Sequence, residues 1–471
     1  MTEKNEVYFM GIQSELETSI KPTAKRSESN QNERSTLYYY TMFVLGKLRR
    51  RYMNQIPEDK QDILRSMRTI AIQDIVLQVY MSLAGGTFLT GLLLFSGVSD
   101  IDTGIIIGLT GILVIFQLFG TIVSMKYKKR KLFVCLCVLI RGISYTLMFF
   151  VHCVFSGVTG MFITVSLFCM GGVANAFQVP TKSDWELALI PRFVRKKFYS
   201  SRITYSTILA PTAALFAGYM LDRFKAFGNI GDGFVLLGVV VGVLSLVSFI
   251  VISMTMEPKK PKIAESPKEM FKEVFKNKEF YPTLIALLLW TVSGAVINSF
   301  FSVYIISDLN FSYMYINLIT FTMIFLQMLV LKVFGKKANR MSNEKWCKLS
   351  GIILAASYFM RVFLIPANAI WFYPVLMVAA TVGNTISNIT IYTMQSDLLP
   401  QKGREAYFAI IALVNAFAAS MGMSLGAAIM KINDYLGAPV YGQQILSILS
   451  AILFTSTAIY IGKMRSFTTS E

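Results

Sequence analysis

Long apolar runs separated by short polar stretches make up most of the chain. A helix needs about 20 mostly apolar residues to cross a bilayer, and we count twelve such runs. They lie near residues 71–95, 102–124, 132–152, 158–180, 203–222, 233–255, 281–306, 313–335, 349–366, 370–393, 408–430 and 445–463. The third and ninth runs are less certain because each contains an arginine, and the fourth and tenth because they are the most polar. The pattern predicts an all-α membrane protein with twelve transmembrane helices.

One loop sequence occurs twice, at residues 189–200 and again 209 residues later at 398–409. Both copies read Leu-aliphatic-Pro-x-x-x-Arg-x-x-aromatic-aromatic-small, with Arg195 and Arg404 in the same position. The period far exceeds the ~20–50 residues of solenoid repeats. In a membrane protein such a repeat indicates two homologous halves with a binding site between them. We therefore predict two pseudo-symmetric six-helix halves.

The domain boundaries follow from the change between apolar and charged sequence. The first half should span residues 67–255 and the second half 281–465, joined by a charged cytoplasmic linker over 256–280. Residues 1–66 read as a disordered segment followed by an interfacial helix, although an ordinary basic leader explains the sequence equally well. Residues 466–471 form the predicted tail.

Basic residues are distributed very unevenly between the two predicted faces of the membrane. Nearly all of the 45 lysines and arginines fall in the two termini and in the loops that follow the second, fourth, sixth, eighth and tenth runs. We call this face of the membrane the basic side. The opposite side has only Arg223, Lys225 and Lys431. Cytoplasmic loops are enriched in Lys and Arg, so we expect both termini to be cytoplasmic in a cell membrane. This distribution explains the net charge of +18 without a nucleic-acid partner.

Residues for metal binding or catalysis are scarce. The chain has one histidine and five scattered cysteines, and Cys135 and Cys137 lack a second Cys or His pair. No nucleophile and base stand out as a catalytic set. We therefore expect neither an enzyme, nor a metal site, nor a cofactor. We expect a monomer whose partners are a small solute and the lipid bilayer, with a coupling ion such as the proton as an open alternative.

Polar residues recur at helical spacing inside the first, fourth, seventh and tenth runs, which predicts one polar stripe on each helix. The candidate substrate-binding residues are Gln78, Asn175, Gln178, Asn298, Asn384, Asn388 and Tyr392. Asn175 and Asn384 are separated by the same 209 residues as the loop repeat. Amides can also hold neighbouring helices together, and we favour that role for Thr291 and Ser302.

Ionisable residues inside the runs form a separate group. Arg141 lies near the middle of the third run, where a structural partner is favoured over anion binding. Arg361 lies near the end of the ninth run, where its side chain could reach water. Asp74 is either a proton-coupling residue or a stabilising acid at a helix start. Glu186, after the fourth run, is expected to pair with Arg192 or Arg195.

Residues 335–345 resemble the loop signature of the major facilitator superfamily, Gly-x-x-x-Asp-Arg-x-Gly-Arg-Arg/Lys. Gly335, Arg340 and Lys345 match this signature, whereas Asn339 replaces its aspartate. The twelve runs and the doubled loop with Arg195 and Arg404 are similar to that superfamily as well. The resemblance implies that these loops close a cytoplasmic gate and that spans 1, 4, 7 and 10 line a central cavity. A basic turn that only sets topology is the alternative.

The predicted function is secondary active transport of a small solute by alternating access, with proton coupling as an open possibility. Pro211 and Gly218 in the fifth run partly match the superfamily's antiporter motif, which slightly favours export. The alternative is a transporter-like receptor or regulator that binds a solute without moving it.

Overall fold

A computed structural model describes residues 58–120, 130–190, 195–257, 277, 280–337, 341–397, 404–437 and 439–463. These residues form helices and turns, without a strand in the described ranges. The prediction of an all-α chain is therefore confirmed. The boundary expected at residue 66 falls inside a helix that already begins at Glu58.

The described part of the first half includes eight helices that organise the fold, of which α5 is a single turn. They are α1 (Glu58–Ala84), α2 (Gly86–Phe95), α3 (Asp100–Leu113), α4 (Arg130–Leu147), α5 (Val151–Val154), α6 (Gly157–Leu189), α7 (Arg195–Ala226) and α8 (Ile230–Ser253). The first span is broken between α1 and α2, where Gly86 has a φ of 52°. Glycine tolerates this left-handed conformation because it has no Cβ.

The described part of the second half includes six helices and one 3₁₀ turn. They are α9 (Tyr281–Ser307), α10 (Tyr313–Lys337), α11 (Asn343–Met360), the turn Arg361–Phe363, α12 (Ala369–Asp397), α13 (Arg404–Tyr435) and α14 (Pro439–Lys463). Ten helical segments of the described chain are long and apolar enough to cross a bilayer. The third and fifth predicted spans, α4 and α7, are helical but are not among these ten, so the number twelve stays a prediction.

The two halves meet along two pairs of helices that are related by the repeat. Within the first half, α1 packs on α7 and α8, and α4 packs on α6 and α8. Between the halves, α3 packs on α13 and α7 packs on α10. Each of these pairs joins the second span of one half to the fifth span of the other. A two-fold symmetry axis between the halves would relate these two helix pairs to each other.

The α3–α13 contact is close because glycines face the neighbouring helix. A Cβ on Gly108 would lie 2.2 Å from the sulfur of Met423 in α13. A Cβ on Gly111 would lie 2.6 Å from the Cβ of Ala419 in α13. Small residues allow such backbone approach between membrane helices. Larger side chains at these positions would push the halves apart on this side.

Hydrogen bonds join the halves at the end of the bundle opposite the basic side. Both carboxylate oxygens of Asp222, in α7, accept bonds from the first backbone N–H groups of α10, from Tyr313 at 2.9 Å and Met314 at 2.7 Å. The Ser307 hydroxyl donates to the Asp100 carboxylate at 2.9 Å. A carboxylate at a helix N-terminus satisfies free N–H groups and complements the helix dipole. The halves are therefore closed at this end.

Candidate functional site

A cavity of about 430 Å³ lies between the two halves, near the middle of the helices that surround it. Its walls come from α1 and α7 of the first half and from α10 and α12 of the second half. The lining residues are Gln78, Ser206, Thr207, Ala210, Pro211, Thr320, Met323, Ile324, Gln327, Met377, Thr381, Asn384, Thr385 and Asn388. The cavity thus brings together spans 1, 5, 8 and 10, whereas the resemblance implied spans 1, 4, 7 and 10.

Three of the seven predicted substrate-binding residues lie on this cavity: Gln78, Asn384 and Asn388. Their side chains are exposed. Asn384 and Asn388 are one turn apart on α12, so both amides face the same space. The neighbouring Thr381 hydroxyl donates to the Met377 carbonyl at 2.7 Å. The amides are therefore the most available hydrogen-bonding groups on this wall.

The walls formed by α7 and α10 were not predicted. Ser206 and Thr207 on α7, and Thr320 and Gln327 on α10, complete the polar lining. Thr320 and Gln327 are seven residues apart and share one face of the helix, which is a signal that the sequence carries. It was missed because the search was limited to the four spans that the resemblance named.

Asn175 and Gln178 face the interior of the first half instead of the cavity. The guanidinium of Arg141 is completely buried there and donates from Nε to the Tyr80 hydroxyl at 2.7 Å. Its Nη1 donates to the Asn175 amide oxygen at 2.8 Å, and the Gln178 amide donates to the same oxygen at 3.2 Å. The expected structural partners of Arg141 are thus the neutral groups of Tyr80 and Asn175. Their hydrogen bonds compensate part of the cost of burying the charge.

Three buried charges and one partly buried arginine form what we call the charged cluster: Asp74 of α1, Lys182 and Glu186 of α6, and Arg202 of α7. Lys182 and Arg202 each pair with one oxygen of Asp74. Arg202 also pairs with Glu186 at 2.9 Å, and Lys182 lies 3.7 Å from it. Arg202, two helix turns into α7, is a partner of Glu186 that was not predicted. The expected partners Arg192 and Arg195 have side chains outside the described residues, so pairing with them stays a prediction. The cluster ties three helices together with two positive and two negative charges.

The surroundings of Glu186 in the charged cluster favour its protonated form. Glu186 lies beyond the apolar part of α6, which ends at Ser183. Burial raises the pKa of Glu186, and the negative charge of Asp74 raises it further, whereas Lys182 and Arg202 lower it. The sequence pointed to Asp74 for proton coupling, but the structure shows that Asp74 belongs to a shared network.

Two further residues of the second half also point away from the cavity. The Asn298 amide oxygen accepts a bond from the Tyr358 hydroxyl at 3.0 Å, which links α9 to α11. Thr291 donates to Asn415 at 3.0 Å, the helix-linking role expected for it. Tyr392 belongs to α12, but its side chain lies outside the described residues.

Arg361 is buried, so the expectation that it extends to water is wrong. Its guanidinium carbon lies 4.0 Å from the centre of the Phe301 ring and 4.2 Å from that of Tyr358. Aromatic faces attract cations. These two rings offset the lost hydration and keep the side chain between α9 and α11.

The described residues offer no ready ligand set for a metal or cofactor. No group of three His, Cys, Asp or Glu side chains is arranged for metal binding in the described ranges. Cys135 and Cys137 are both free thiols and buried. The polar cavity and the charged cluster are therefore the two sites to which chemistry can be assigned.

Comparison with models of protein families identifies the family of this chain. The family model described as "Major Facilitator Superfamily" matches residues 75–423. The chain belongs to the Major Facilitator Superfamily. A comparison with curated protein sequences finds no match. The match confirms the resemblance seen in the loop motifs, and this superfamily member is a multi-pass membrane transporter.

Solved transporter structures share the fold of this superfamily member. A D-xylose-proton symporter is 13% identical with a TM-score of 0.63, covering 85% of this chain and 98% of that one. The nucleoside transporter NupG is 14% identical with a TM-score of 0.60, covering 85% and 98%. A bacterial homologue of the iron transporter ferroportin, in an inward-facing state, is 13% identical with a TM-score of 0.63, covering 84% and 99%. At these identities the likeness concerns the fold alone.

Four of the six predicted gate residues of this superfamily member lie at the ends of described helices. Gly335 belongs to the last turn of α10, and Lys345 is exposed in the first turn of α11. Asn339 and Arg340 lie outside the described residues. Arg195 and Arg404 begin α7 and α13, and their side chains lie outside the described part as well. Their gating role remains a prediction.

Proposed function

We propose that this protein moves a small polar solute across the membrane by alternating access, with the cavity between the halves as the solute site. The observation that carries this proposal is the composition of the cavity walls: Gln78 and Ser206 come from one half, and Gln327 and Asn388 from the other. A solute held there would contact both halves. Rocking of one half against the other then changes the side to which the site opens.

The closed end of the bundle supports the same proposal. Asp222 and Ser307 join the halves on the side opposite the basic side. These few hydrogen bonds can break when the halves rock, because they connect loop-proximal ends and not the core of either half. Opening toward the basic side would therefore alternate with opening at the Asp222 end.

A proton is the coupling ion that the charged cluster could serve. Protonation of Glu186 would weaken its pairing with Arg202 and leave Arg202 to Asp74 alone. Arg202 belongs to α7, which also carries Ser206 and Thr207 on the cavity wall. A shift of α7 that follows a change in the pairing of Arg202 would therefore move these two side chains at the solute site. We infer that any proton coupling acts through the whole cluster and not through Asp74 alone.

Transport can be tested with the purified protein in proteoliposomes. Uptake of a panel of radiolabelled metabolites is measured with and without a pH gradient, for the wild type and for Asn388→Ala. At least one solute should accumulate, and the variant should lose most of that uptake because an amide of the site is gone. Accumulation that depends on the pH gradient would show proton coupling.

A matched pair of threonines on α10 controls for general damage. Thr320 lines the cavity, whereas Thr322 is exposed elsewhere on the helix and donates to the Ile319 carbonyl at 2.8 Å. Thr320→Val should weaken solute uptake and Thr322→Val should not. Equal effects of the two substitutions would contradict the assignment of the cavity.

The receptor alternative predicts binding without flux. If a solute raises the melting temperature of the protein in lipid nanodiscs but never enters proteoliposomes, the protein binds it without transporting it. The charged cluster would then serve stability alone.

A further inference from the structure

We infer that the cavity selects an uncharged, hydroxyl-rich solute with one apolar face. This inference deepens the proposed function and rests on it for the location of the site. It is carried by the residues that line the cavity and by the positions of the nearby charges.

The polar lining consists of neutral groups. Four amides and five hydroxyls face the cavity, and in the described part of the chain the lining includes no Lys, Arg, His, Asp or Glu. These polar residues are Gln78, Gln327, Asn384, Asn388, Ser206, Thr207, Thr320, Thr381 and Thr385. A site for an ion inside a membrane protein normally supplies an opposite charge. This cavity supplies hydrogen bonds only.

The charges one turn from the lining on α1 and α7 are directed elsewhere. Asp74 lies one turn before Gln78 on α1, but its two oxygens pair with Lys182 and Arg202. Arg202 lies one turn before Ser206 on α7, and it pairs with Asp74 and Glu186. An ionic group on the solute would therefore lose its hydration in the cavity without gaining a counter-charge.

The hydroxyls of the lining favour a solute that donates hydrogen bonds. Thr320 donates to the Ile316 carbonyl at 2.9 Å, and Thr385 donates to the Thr381 carbonyl at 2.6 Å. A hydroxyl whose proton is used in this way still has lone pairs that accept. Asparagine and glutamine amides both donate and accept. Solute hydroxyls, which donate and accept as well, match this combination.

The remaining lining residues form an apolar surface. They are Met323, Ile324, Met377, Ala210 and Pro211. Small-molecule sites are largely apolar with a few well-placed polar groups, and they occupy about 300–1,000 Å³. A cavity of about 430 Å³ falls within that range. A ring with a C–H face and a hydroxylated edge, as in a sugar or a nucleoside, fits both kinds of wall.

Matched probes that differ only in charge test this inference. The full chain is purified in lipid nanodiscs, and its affinity is measured for two sets: D-glucose, D-glucuronate and D-glucosamine, and uridine with uridine monophosphate. We expect a neutral member to bind at least ten-fold more tightly than its charged counterparts. A charged member that binds equally or more tightly would overturn the inference, and so would failure of both neutral members to bind.

A charge placed in the lining gives a second measurement. Asn388→Asp should weaken binding of the neutral probe ten-fold or more and improve binding of D-glucosamine, because it creates the missing counter-charge. Thr322→Val, on the outer face of α10, should leave both affinities unchanged. Unchanged selectivity in Asn388→Asp, with the variant still folded and monodisperse, would contradict the inference.

The two proposals fail in different ways. Neutral selectivity without any flux in proteoliposomes would overturn the proposed transport and leave the selectivity standing. Flux of a charged solute that Asn388→Ala abolishes would support transport and overturn the selectivity.

Discussion

The two halves of the protein use equivalent positions in opposite ways. Positions 209 residues after Asp74 and Lys182 are Thr283 and Ile391. The first pair is a buried ion pair between α1 and α6. The second pair lies together in the wall of a small apolar pocket between α9 and α12. The backbone arrangement has been kept while the contact has changed from ionic to apolar, so the charged cluster is a property of one half.

A second pair of equivalent positions shows how one residue redirects another. Asn175 and Asn384 are also 209 residues apart, and the residue equivalent to Arg141 is Ser350. Asn175 is held by Arg141 inside the first half. The Ser350 hydroxyl donates to its own helix, to the Cys347 carbonyl at 2.9 Å, and Asn384 is exposed to the cavity. Two amides of the same origin have therefore acquired different roles.

The largest expected change in stability comes from replacing the ion pair of the first half with the residues found at the equivalent positions of the second half. Lys182→Ile alone leaves two buried carboxylates with one cation, and should lower the free energy of unfolding by about 3–5 kcal/mol. Adding Asp74→Thr removes the excess charge and should restore much of the loss. Denaturant unfolding in detergent micelles measures both variants. A double variant as unstable as the single one would show that the two positions are not equivalent.

A smaller loss is expected from Arg141→Ser, which places the second-half residue in the first half. It leaves the Tyr80 hydroxyl and the Asn175 amide without their buried partner, at a cost of about 1–3 kcal/mol. The same unfolding titration gives the value. Asn175→Ala combined with Arg141→Ser should cost little more than Arg141→Ser. Fully additive losses would contradict the contact between the two side chains.

The contact between the halves can be weakened at Asp222. Asp222→Asn removes the charge at the start of α10 and leaves one oxygen for two N–H groups, at a cost of about 1 kcal/mol. Asp100→Cys with Ser307→Cys reports this closure, because cross-linking of the two thiols should slow when the end opens. Asp232→Asn, at the start of α8, is the control. An unchanged cross-linking rate in Asp222→Asn would mean that this carboxylate does not hold the halves together.

The smallest effect is a pH dependence of stability through Glu186. Burial raises its pKa above the ordinary value near 4.5. An acid with a raised pKa in the folded state contributes stability at low pH, and that contribution is lost as the pH rises through the folded-state pKa. The wild type should therefore lose more thermal stability than Glu186→Gln as the pH rises from 4.5. Parallel melting curves for the two proteins would argue against a raised pKa.

Side-chain partners were harder to predict than helices. The helices followed from apolar length, and the resemblance correctly identified the superfamily. By contrast, the pairing of Glu186 with Arg202 was not predicted. Arg361 was expected to reach water but lies between two rings. Both cases concern which of several neighbours a side chain meets, and sequence distance does not answer that question.

Helix positions, the doubled loop and the charge difference between the two faces of the membrane could be read from the chain alone. They depend on local composition, because bilayer thickness sets the length of an apolar run and lysine and arginine favour one face. The rotation of each helix about its axis could not be read in this way. It depends on packing with distant helices: Arg141 of α4 holds Asn175 away from the cavity, whereas α7 and α10 supply cavity walls because they pack on each other across the halves.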